Sequence, residues 1–331
     1  MDDGTFVDRM PNGTIIEDPV RFPSGMRALG DYLHSRNLSF GVYTSATSLT
    51  CQKRPGTYGF ESIDVERYCD FGVDYLKVDL CFGMRYAQSN QSWILIRSAI
   101  EKCVSSGGRR QKLSVEYCRA NSSDDCETWV GNLADLWRTT GDVQANFASF
   151  MSNLDLNNEN AAAMSPGKYN DPDMLVTNLP GVSVVESQTQ FAAWALVAAP
   201  MLLSFDVTQY IPPEILQIIT NSEVIAISQD AAQIQGIRVS DPSPSGVECW
   251  ARPLSPPLLL DDRLGSQYIA AFLVNRGEEK MNATCTWPQL GLSGSATVRD
   301  LYSQKDLGSF DGEFSVLLDP HESLLVTMLG P

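Results

Sequence analysis

The sequence predicts an α/β barrel followed by an antiparallel β domain. Over the first 240 residues, short apolar runs alternate with amphipathic helical stretches, which is typical of a parallel sheet. Three runs carry or adjoin an aspartate, and a barrel, unlike a doubly wound sheet, brings all such strand ends to one rim. From about residue 246 the runs are short, alternating and separated by Gly, Pro and Ser. We therefore predict a barrel over residues 1–240 and an antiparallel β domain over residues 241–331.

The individual elements follow from the periodicity of the apolar residues. Barrel strands are predicted near residues 38–44, 73–80, 112–118, 136–142, 173–177 and 201–206. Helices are predicted over residues 24–36, 92–104, 127–135, 186–199 and 213–227. Strands of the β domain are predicted over residues 247–252, 268–275, 296–301, 314–318 and 323–328.

The strand predicted at residues 73–80 brings a lysine and a carboxylate to one end of the sheet. Alternate side chains share a face of a strand, so Leu76 and Val78 face opposite to Lys77 and Asp79. A neighbouring ammonium group favours an ionised carboxylate, which suits a nucleophile. A buried salt bridge in a barrel core is the alternative interpretation, and this segment alone does not decide between the two.

Two further segments supply carboxylates. An extended run over residues 136–142 would place Arg138, Thr140 and Asp142 on one face, with a glycine before the aspartate easing a turn. The Asx-Pro turn at residues 170–175 adds Asp173, although such turns are common. Many enzymes that cleave glycosidic bonds use one carboxyl group to attack and another to donate a proton. Aspartates at two strand ends match that chemistry.

Composition limits the classes of partner. The chain has 331 residues and a formal net charge of −16, which argues against nucleic acid and anionic membrane surfaces and favours a neutral or cationic ligand. The longest apolar run, residues 191–203, contains a proline and is too short to span a membrane. The first residues are acidic and carry no signal peptide.

Cysteines and glycosylation sequons favour a secreted or lysosome-like protein. The eight cysteines are many for a cytosolic enzyme. They stand at positions 51, 69, 81, 103, 118, 126, 249 and 285. Five acceptor sequons begin at Asn12, Asn37, Asn90, Asn121 and Asn282. The spacing of the cysteines is not that of a zinc site, and His34 and His321 are interpreted as structural, so no metal or cofactor is expected.

Eight motifs in order make the chain resemble a known family over nearly its whole length. They are residues 1–3 (MDD), 18–25 (DPVRFPSG), 41–43 (GVY), 55–59 (PGTYG), 75–79 (YLKVD), 137–142 (WRTTGD), 170–175 (NDPDML) and 224–230 (VIAISQD). The chain resembles the family-27 glycoside hydrolases, the melibiase group of α-galactosidases and α-N-acetylgalactosaminidases. The resemblance implies a (β/α)8 TIM barrel followed by a β-sandwich, and hydrolysis of terminal α-linked galactose-type sugars with retention.

The resemblance also implies roles for individual residues. Asp79 corresponds to the nucleophile, and Asp142 to the acid that protonates the leaving oxygen and later activates water. Cys51 and Cys81 correspond to a disulfide between the loops after two neighbouring strands. The pairing of the other six cysteines stays open.

The implied sugar pocket consists of residues from several strand ends. Asp2, Asp3 and Lys77 resemble the cluster that holds the axial 4-hydroxyl and the 6-hydroxyl. The remaining implied substrate-binding residues are Tyr43, Cys51, Arg119, Arg138, Asp173 and Met174.

The chain departs from the family pattern at three places. Arg119 stands where the family has a Glu that reads the 2-substituent of the sugar, which leaves galactose versus N-acetylgalactosamine open, because a guanidinium only donates hydrogen bonds. Gly4 and Thr5 replace a Cys-Trp pair, so one usual disulfide is absent. The chain begins where the family's second strand ends, and we count six strands where closure needs eight.

The third departure predicts an N-terminally truncated barrel that lacks its first strand and most of its second, with a signal peptide upstream. The favoured function is a retaining exo-α-galactosidase that needs no cofactor and acts on a small carbohydrate. The alternatives are an α-N-acetylgalactosaminidase or related family member, and a non-catalytic sugar-binding derivative of the fold. A homodimer stays open as the oligomeric state.

Overall fold

The protein consists of two compact units, Met1–Arg138 and Thr139–Pro331. Its structure is a computed structural model that describes residues 1–82, 86–108, 111–115, 126–241, 246–255 and 267–330. Within these residues, no helix combines the length and the apolar character that crossing a membrane requires.

The first unit is built on a parallel sheet with helices between the strands. It begins with an antiparallel hairpin, β1 (Phe6–Arg9) and β2 (Ile15–Glu17). The elements that follow are α1 (Gly25–His34), β3 (Gly41–Ser45), α2 (Glu61–Phe71), β4 (Tyr75–Asp79), α3 (Tyr86–Ser105), β5 (Lys112–Val115), α4 (Cys126–Leu133) and β6 (Leu136–Arg138). Strand β3 pairs with β4, β4 with β5 and β5 with β6, all parallel.

Strand β4 shows the alternation that its sequence predicts. Leu76 and Val78 are fully buried, whereas Lys77 and Asp79 are only partly buried. Its parallel register with β3 pairs Tyr43 with Lys77 and the last residue of β3 with Asp79. Paired residues of neighbouring strands share a face of the sheet, so the polar side chains of β3 and β4 lie together.

The second unit contains helices and two antiparallel sheets. Its first elements are α5 (Phe147–Glu159), a 3-10 turn (Ala161–Ala163), β7 (Tyr169–Asp171), α6 (Val184–Leu196), α7 (Pro213–Ile219) and α8 (Ser222–Ser228). Next come β8 (Ile237–Arg238), β9 (Val247–Pro253), β10 (Gln267–Asn275), β11 (Met281–Thr286), α9 (Trp287–Leu290), β12 (Ser295–Asp300), β13 (Lys305–Asp311), β14 (Glu313–Leu318) and β15 (Ser323–Gly330).

The C-terminal strands form a sandwich. The larger sheet has the order β13-β12-β15-β10-β9-β8, and β11 pairs with β14 in a second sheet. Leu273 of the larger sheet and Phe314 of the smaller one belong to the same buried cluster, and a disulfide joins Cys249 to Cys285. The two sheets therefore pack face to face, as the sequence predicts for an antiparallel β domain.

Several observed elements differ from the predicted ones. Strand β6 ends at Arg138, four residues before Asp142, so the single-face argument for residues 136–142 fails beyond Arg138. Strand β7 ends at Asp171, directly before Pro172, which has no N–H for a sheet hydrogen bond, and the predicted strand at residues 173–177 is reduced to the bridge at Leu175. Residues 201–206 form only an isolated parallel bridge, between Leu175 and Leu203. The helix predicted over residues 213–227 divides into α7 and α8, and α8 begins after the N-cap Asn221.

A large hydrophobic core runs through the second unit. It combines Trp194 of α6 with Trp250, Phe272 and Leu325 of the larger sheet. The helical part of this unit and the β-sheet thus share one set of buried contacts. The boundary at residues 240 and 241 lies inside the second unit and stays a prediction.

A buried ion pair fixes the hairpin of the first unit. The two terminal nitrogens of Arg9 each donate to a different oxygen of Asp64, both at 2.6 Å, and Asp64 is fully buried. Arg9 also donates to the carbonyls of Gly13 and Gly56, at 2.8 and 2.6 Å. Burial raises the pKa of Asp64, and the Arg9 guanidinium opposes that rise.

Replacing Arg9 with methionine should lower the free energy of unfolding by about 3–5 kcal/mol at neutral pH, because Asp64 would remain buried without its cation. The loss should be smaller at pH 5. An acid whose pKa is raised in the folded state makes its full contribution to the free energy of unfolding only when it is protonated. That contribution disappears as the pH rises through the folded pKa. Denaturant unfolding at both pH values measures the difference.

The matched control is Arg27→Met, because the Arg27 side chain is 68% exposed in its pair with Asp31. Exposed pairs contribute little to stability. An equal loss of unfolding free energy in the two variants would show that the buried Arg9–Asp64 pair contributes no more to stability than an exposed pair.

Candidate active site

The carboxylate of Asp79 is held in place at the end of β4. The hydroxyl of Tyr43 donates to Asp79 Oδ2, and the backbone N–H of Leu80 donates to Oδ1 at 2.6 Å. Tyr43 lies in β3 and is 5% exposed, so its ring cannot move far. Both carboxylate oxygens therefore have a fixed donor, and the orientation of the group is defined.

The backbone around Asp79 is fixed by the end of β3. Its carbonyl oxygen accepts from the N–H of Ala46 at 2.8 Å and from the hydroxyl of Ser45 at 3.1 Å. The same hydroxyl accepts from the N–H of Cys81 at 3.3 Å. One backbone hydrogen bond and two hydrogen bonds of the Ser45 hydroxyl thus hold the chain at Asp79 and at Cys81, beyond the last paired residues of the two strands.

A disulfide between Cys51 and Cys81 lies against this carboxylate. The Sγ of Cys51 is 3.6 Å from Asp79 Oδ2, and the Sγ of Cys81 is 3.5 Å from the Tyr43 hydroxyl. Because a disulfide sulfur carries no proton, the first distance is a packing contact and not a hydrogen bond. Asp79 and the two cysteines are spaced for a metal ion, but with the disulfide intact only the carboxylate offers a charged ligand.

Asp3 is attached to the loop that carries Cys51, and Asp2 contacts Asp3. Asp3 Oδ2 accepts from the N–H of Gln52 at 2.7 Å, and Oδ1 accepts from the N–H of Gly4 at 2.7 Å. Asp2 Oδ1 accepts from the N–H of Asp3 at 2.8 Å, and Asp2 is exposed. Gly4 has a φ of +87°, so the Gly4 departure coincides with a conformation that larger residues rarely adopt.

Lys77 lies in β4 and Arg138 in β6 of the same sheet, with β5 between the two strands. Lys77 Nζ is 5.8 Å from the centroid of the Tyr43 ring, a cation–π distance, and Lys77 is partly buried. Arg138 is the last residue of β6 and is 4% exposed. Arg119 lies outside the described residues.

The second unit holds Asp142 and Asp173. Asp142 is exposed and lies in an irregular segment between β6 and α5. The residue after it, Val143, donates its N–H to Asp173 Oδ2 at 2.8 Å. The next N–H, of Gln144, donates to the hydroxyl of Ser149 at 2.8 Å. The chain after Asp142 is therefore fixed by two side chains.

Asp173 has an unusual backbone that its contacts explain. Its φ is +83°, a region that aspartate enters more readily than most residues. Its Oδ1 accepts from the N–H of Met174, its own N–H donates to Asp171 Oδ1, and its carbonyl accepts from Trp194 Nε1, all at 2.8 Å. The structure thus gives Asp173 a role in the chain conformation that the resemblance does not supply. Met174 is partly buried.

Sequence reasoning missed two residues that hold these segments. Asn153 of α5 and Trp194 of α6 are buried, and their side chains donate to backbone carbonyls near Asp142 and Asp173. Both lie in helical stretches with no motif. The one sequence signal for Asn153 is its place as a polar residue beside the apolar residues of α5.

A carboxylate at the end of a parallel strand, held by a tyrosine hydroxyl and a backbone amide, is the arrangement that the nucleophile of a glycoside hydrolase needs. The family described as Alpha galactosidase A matches residues 2–230. The family described as Alpha galactosidase C-terminal beta sandwich domain matches residues 244–328.

Individual relatives agree with these matches. "Alpha-galactosidase 2" of Arabidopsis thaliana is 33% identical over 97% of this chain and 76% of its own length. "Alpha-N-acetylgalactosaminidase" of Gallus gallus is 31% identical over 94% of this chain and 76% of its own length. The crystal structure of alpha-galactosidase I from Mortierella vinacea covers 99% of this chain and 86% of its own, with 26% identity and a TM-score of 0.88.

The chain belongs to the melibiase family of α-galactosidases, the family-27 glycoside hydrolases. The resemblance read from the motifs is thereby confirmed, as is the fold of a TIM barrel followed by a β-sandwich.

Tyr43→Phe should lower kcat/KM for an α-galactoside by about 10- to 100-fold, which corresponds to the loss of one hydrogen bond to a charged group. The Asp79 carboxylate would keep only one of its two donors and could rotate. Steady-state kinetics measures the loss, and circular dichroism checks the fold.

Tyr32→Phe is the matched control, since Tyr32 of α1 is 53% exposed. Wild-type kinetics in Tyr43→Phe would show that the hydroxyl does not orient the carboxylate.

Proposed function

We propose that this protein is a retaining exo-α-galactosidase that releases terminal α-linked galactose from oligosaccharides or glycoconjugates. The observation that carries the proposal is the Asp79 carboxylate, fixed at the end of β4 by the Tyr43 hydroxyl and the Leu80 N–H. A nucleophile must be aligned with the anomeric carbon before it attacks, and two fixed donors provide that alignment. The family and the named relatives supply the substrate class.

The proposed mechanism is a double displacement. An oxygen of Asp79 attacks the anomeric carbon while the carboxyl group of Asp142 gives its proton to the glycosidic oxygen, which leaves as an alcohol. The sugar is then bound covalently to Asp79. Asp142, now a carboxylate, takes a proton from water, and the water oxygen attacks the anomeric carbon. Asp79 is released, and the two inversions give retention.

Galactose recognition is proposed for the polar residues around the two carboxylates. Asp2, Asp3 and Lys77 would pair with the axial 4-hydroxyl and the 6-hydroxyl. An equatorial 4-hydroxyl would leave these polar groups unpaired once the bound sugar covers them, which costs a large factor in rate. The other proposed pocket residues are Tyr43, Cys51, Arg119, Arg138, Asp173 and Met174.

A second candidate is an α-N-acetylgalactosaminidase. The observation that favours it is the 31% identity with the Gallus gallus protein of that name. The discriminating position is Arg119, where the family has an acidic residue that reads the 2-substituent. Comparing kcat/KM for the aryl α-galactoside and the aryl α-N-acetylgalactosaminide separates the two candidates.

Secretion or a lysosomal location is proposed from the modification chemistry. Three sequon asparagines, Asn12, Asn37 and Asn282, are exposed. Disulfides join Cys51 to Cys81, Cys69 to Cys103 and Cys249 to Cys285, which requires an oxidising compartment. A homodimer remains a proposal, as does a domain boundary near residue 240.

The two carboxylates are tested by removing each one. Asp79→Gly should abolish turnover, and azide should restore cleavage by attacking from the vacated side. Asp142→Gly should slow substrates with poor leaving groups far more than activated aryl galactosides, because the latter need no proton. Product analysis by NMR gives the anomer. Activity of Asp79→Gly near the wild-type level without added anion would overturn the assignment of the nucleophile.

Discrimination at C4 tests the sugar cluster. The aryl α-galactoside should be hydrolysed at least about 1000-fold faster than the α-glucoside in kcat/KM, because polar groups that the bound sugar covers and leaves unpaired reject the wrong hydroxyl strongly. Asp3→Asn should reduce the ratio of kcat/KM for the α-galactoside to kcat/KM for the α-glucoside. Equal rates on the two substrates in the wild-type protein would show that the cluster does not read this hydroxyl.

A further inference from the structure

One buried amide links the segment that carries Asp142 to the segment that carries Asp173. Asn153 lies at the end of the second turn of α5 and is 6% exposed. Its Nδ2 donates to Thr140 Oγ1 at 3.0 Å and to the carbonyls of Gly141 and Pro172, at 3.2 and 3.0 Å. Two of these acceptors immediately precede Asp142, and the third immediately precedes Asp173.

The chain on the other side of Asp142 is held by Asp173 itself. The N–H of Val143 donates to Asp173 Oδ2 at 2.8 Å. The segment of residues 140–143 is therefore attached at both flanks of Asp142, by an amide before it and by a carboxylate after it. Since β6 ends at Arg138, no strand pairing of β6 extends to this segment.

We propose that Asn153 is a positioning residue for the proton donor. It fixes the backbone of residues 140–142, and through Asp173 it couples that backbone to the turn at residues 172–173, so that the Asp142 carboxyl stays within proton-transfer distance of the glycosidic oxygen. This inference rests on the proposed role of Asp142 as acid and base.

General acid catalysis makes a specific demand on such a residue. Proton transfer requires heavy atoms within about 2.6–3.2 Å of each other, and a displacement of about 1 Å costs on the order of 100-fold in rate. The reach of the Asp142 carboxyl group depends on where its backbone is held, because the side chain extends from an irregular segment beyond the end of β6. A displaced proton donor slows hydrolysis most for substrates whose leaving group must be protonated.

A purely structural role for Asn153 makes a different prediction. A buried amide that only satisfies three acceptors would, when lost, lower stability and reduce turnover of all substrates by the same factor. The dependence of the loss on the leaving group therefore separates the two roles.

The test is Asn153→Leu, which keeps the approximate size of the side chain and removes both N–H donors. We expect kcat/KM for an α-galactoside with an alkyl alcohol leaving group to fall by about 100-fold, and kcat/KM for a dinitrophenyl galactoside by less than about 3-fold. The control is Leu154→Ala, because Leu154 is the next residue of α5, is fully buried and lies in the hydrophobic core. It should lower the melting temperature and affect both substrates equally.

A milder variant covers the case in which Asn153→Leu does not fold. Asn153→Ser keeps one donor on a shorter side chain and should show the same leaving-group dependence with a smaller amplitude. Equal losses on both substrates in Asn153→Ser, as in Leu154→Ala, would overturn the positioning role.

Asp142→Gly, measured in parallel, separates failure of this inference from failure of the proposed function. If Asp142→Gly shows no leaving-group dependence, Asp142 is not the acid and the proposed mechanism fails. If Asp142→Gly shows the dependence and the Asn153 variants do not, only the positioning role is wrong.

Discussion

The first unit depends on the parallel pairing of β3 with β4. That register sets Tyr43 beside Lys77 and places the end of β3 beside Asp79. The Tyr43 hydroxyl and the Ser45 hydroxyl then reach the carboxylate and the carbonyl of Asp79, respectively. A shift of one residue would turn every side chain of β4 to the opposite face and place Asp79 in the apolar layer. The buried residues Leu76 and Val78 oppose that shift, so hydrophobic burial fixes the position of the polar group.

The segment carrying Asp142 is held by different forces. It lies beyond the end of β6, and its geometry depends on hydrogen bonds between side chains and backbone: the Asn153 amide donates to the carbonyl of Gly141, and the N–H of Val143 donates to the Asp173 carboxylate. Such bonds contribute about 1 kcal/mol each, whereas leaving a buried partner unsatisfied costs more. The left-handed backbone of Asp173 is a further cost that these contacts offset. The two carboxylates of the proposed mechanism are thus positioned by hydrophobic register in one case and by polar contacts in the other.

Because the two carboxylates are positioned by different interactions, the sequence predicts the position of one better than that of the other. The alternation in β4 is visible in a single sequence, because each residue's face follows from its position. The run at residues 136–142 has the same alternation, yet the strand stops at Arg138, so alternation alone does not fix where a strand ends. The contacts of Asn153 depend on which loops fold over α5, and no local pattern encodes that. The motifs predicted the family, which the comparisons confirm, and they are the source of the proposed site residues. They did not give the chain conformation at Asp173.

The different ways in which Asp79 and Asp142 are positioned also suit their two roles in the proposed mechanism. A nucleophile forms one bond along one line, so a carboxylate with both oxygens held by fixed donors loses little on reaching the transition state. The acid must first give a proton to the leaving group and then take one from water, and it therefore needs access to solvent. Asp142 is exposed, whereas its flanking backbone is anchored on both sides. Fixing the backbone while leaving the carboxyl group accessible is how one aspartate can serve both steps at the same position.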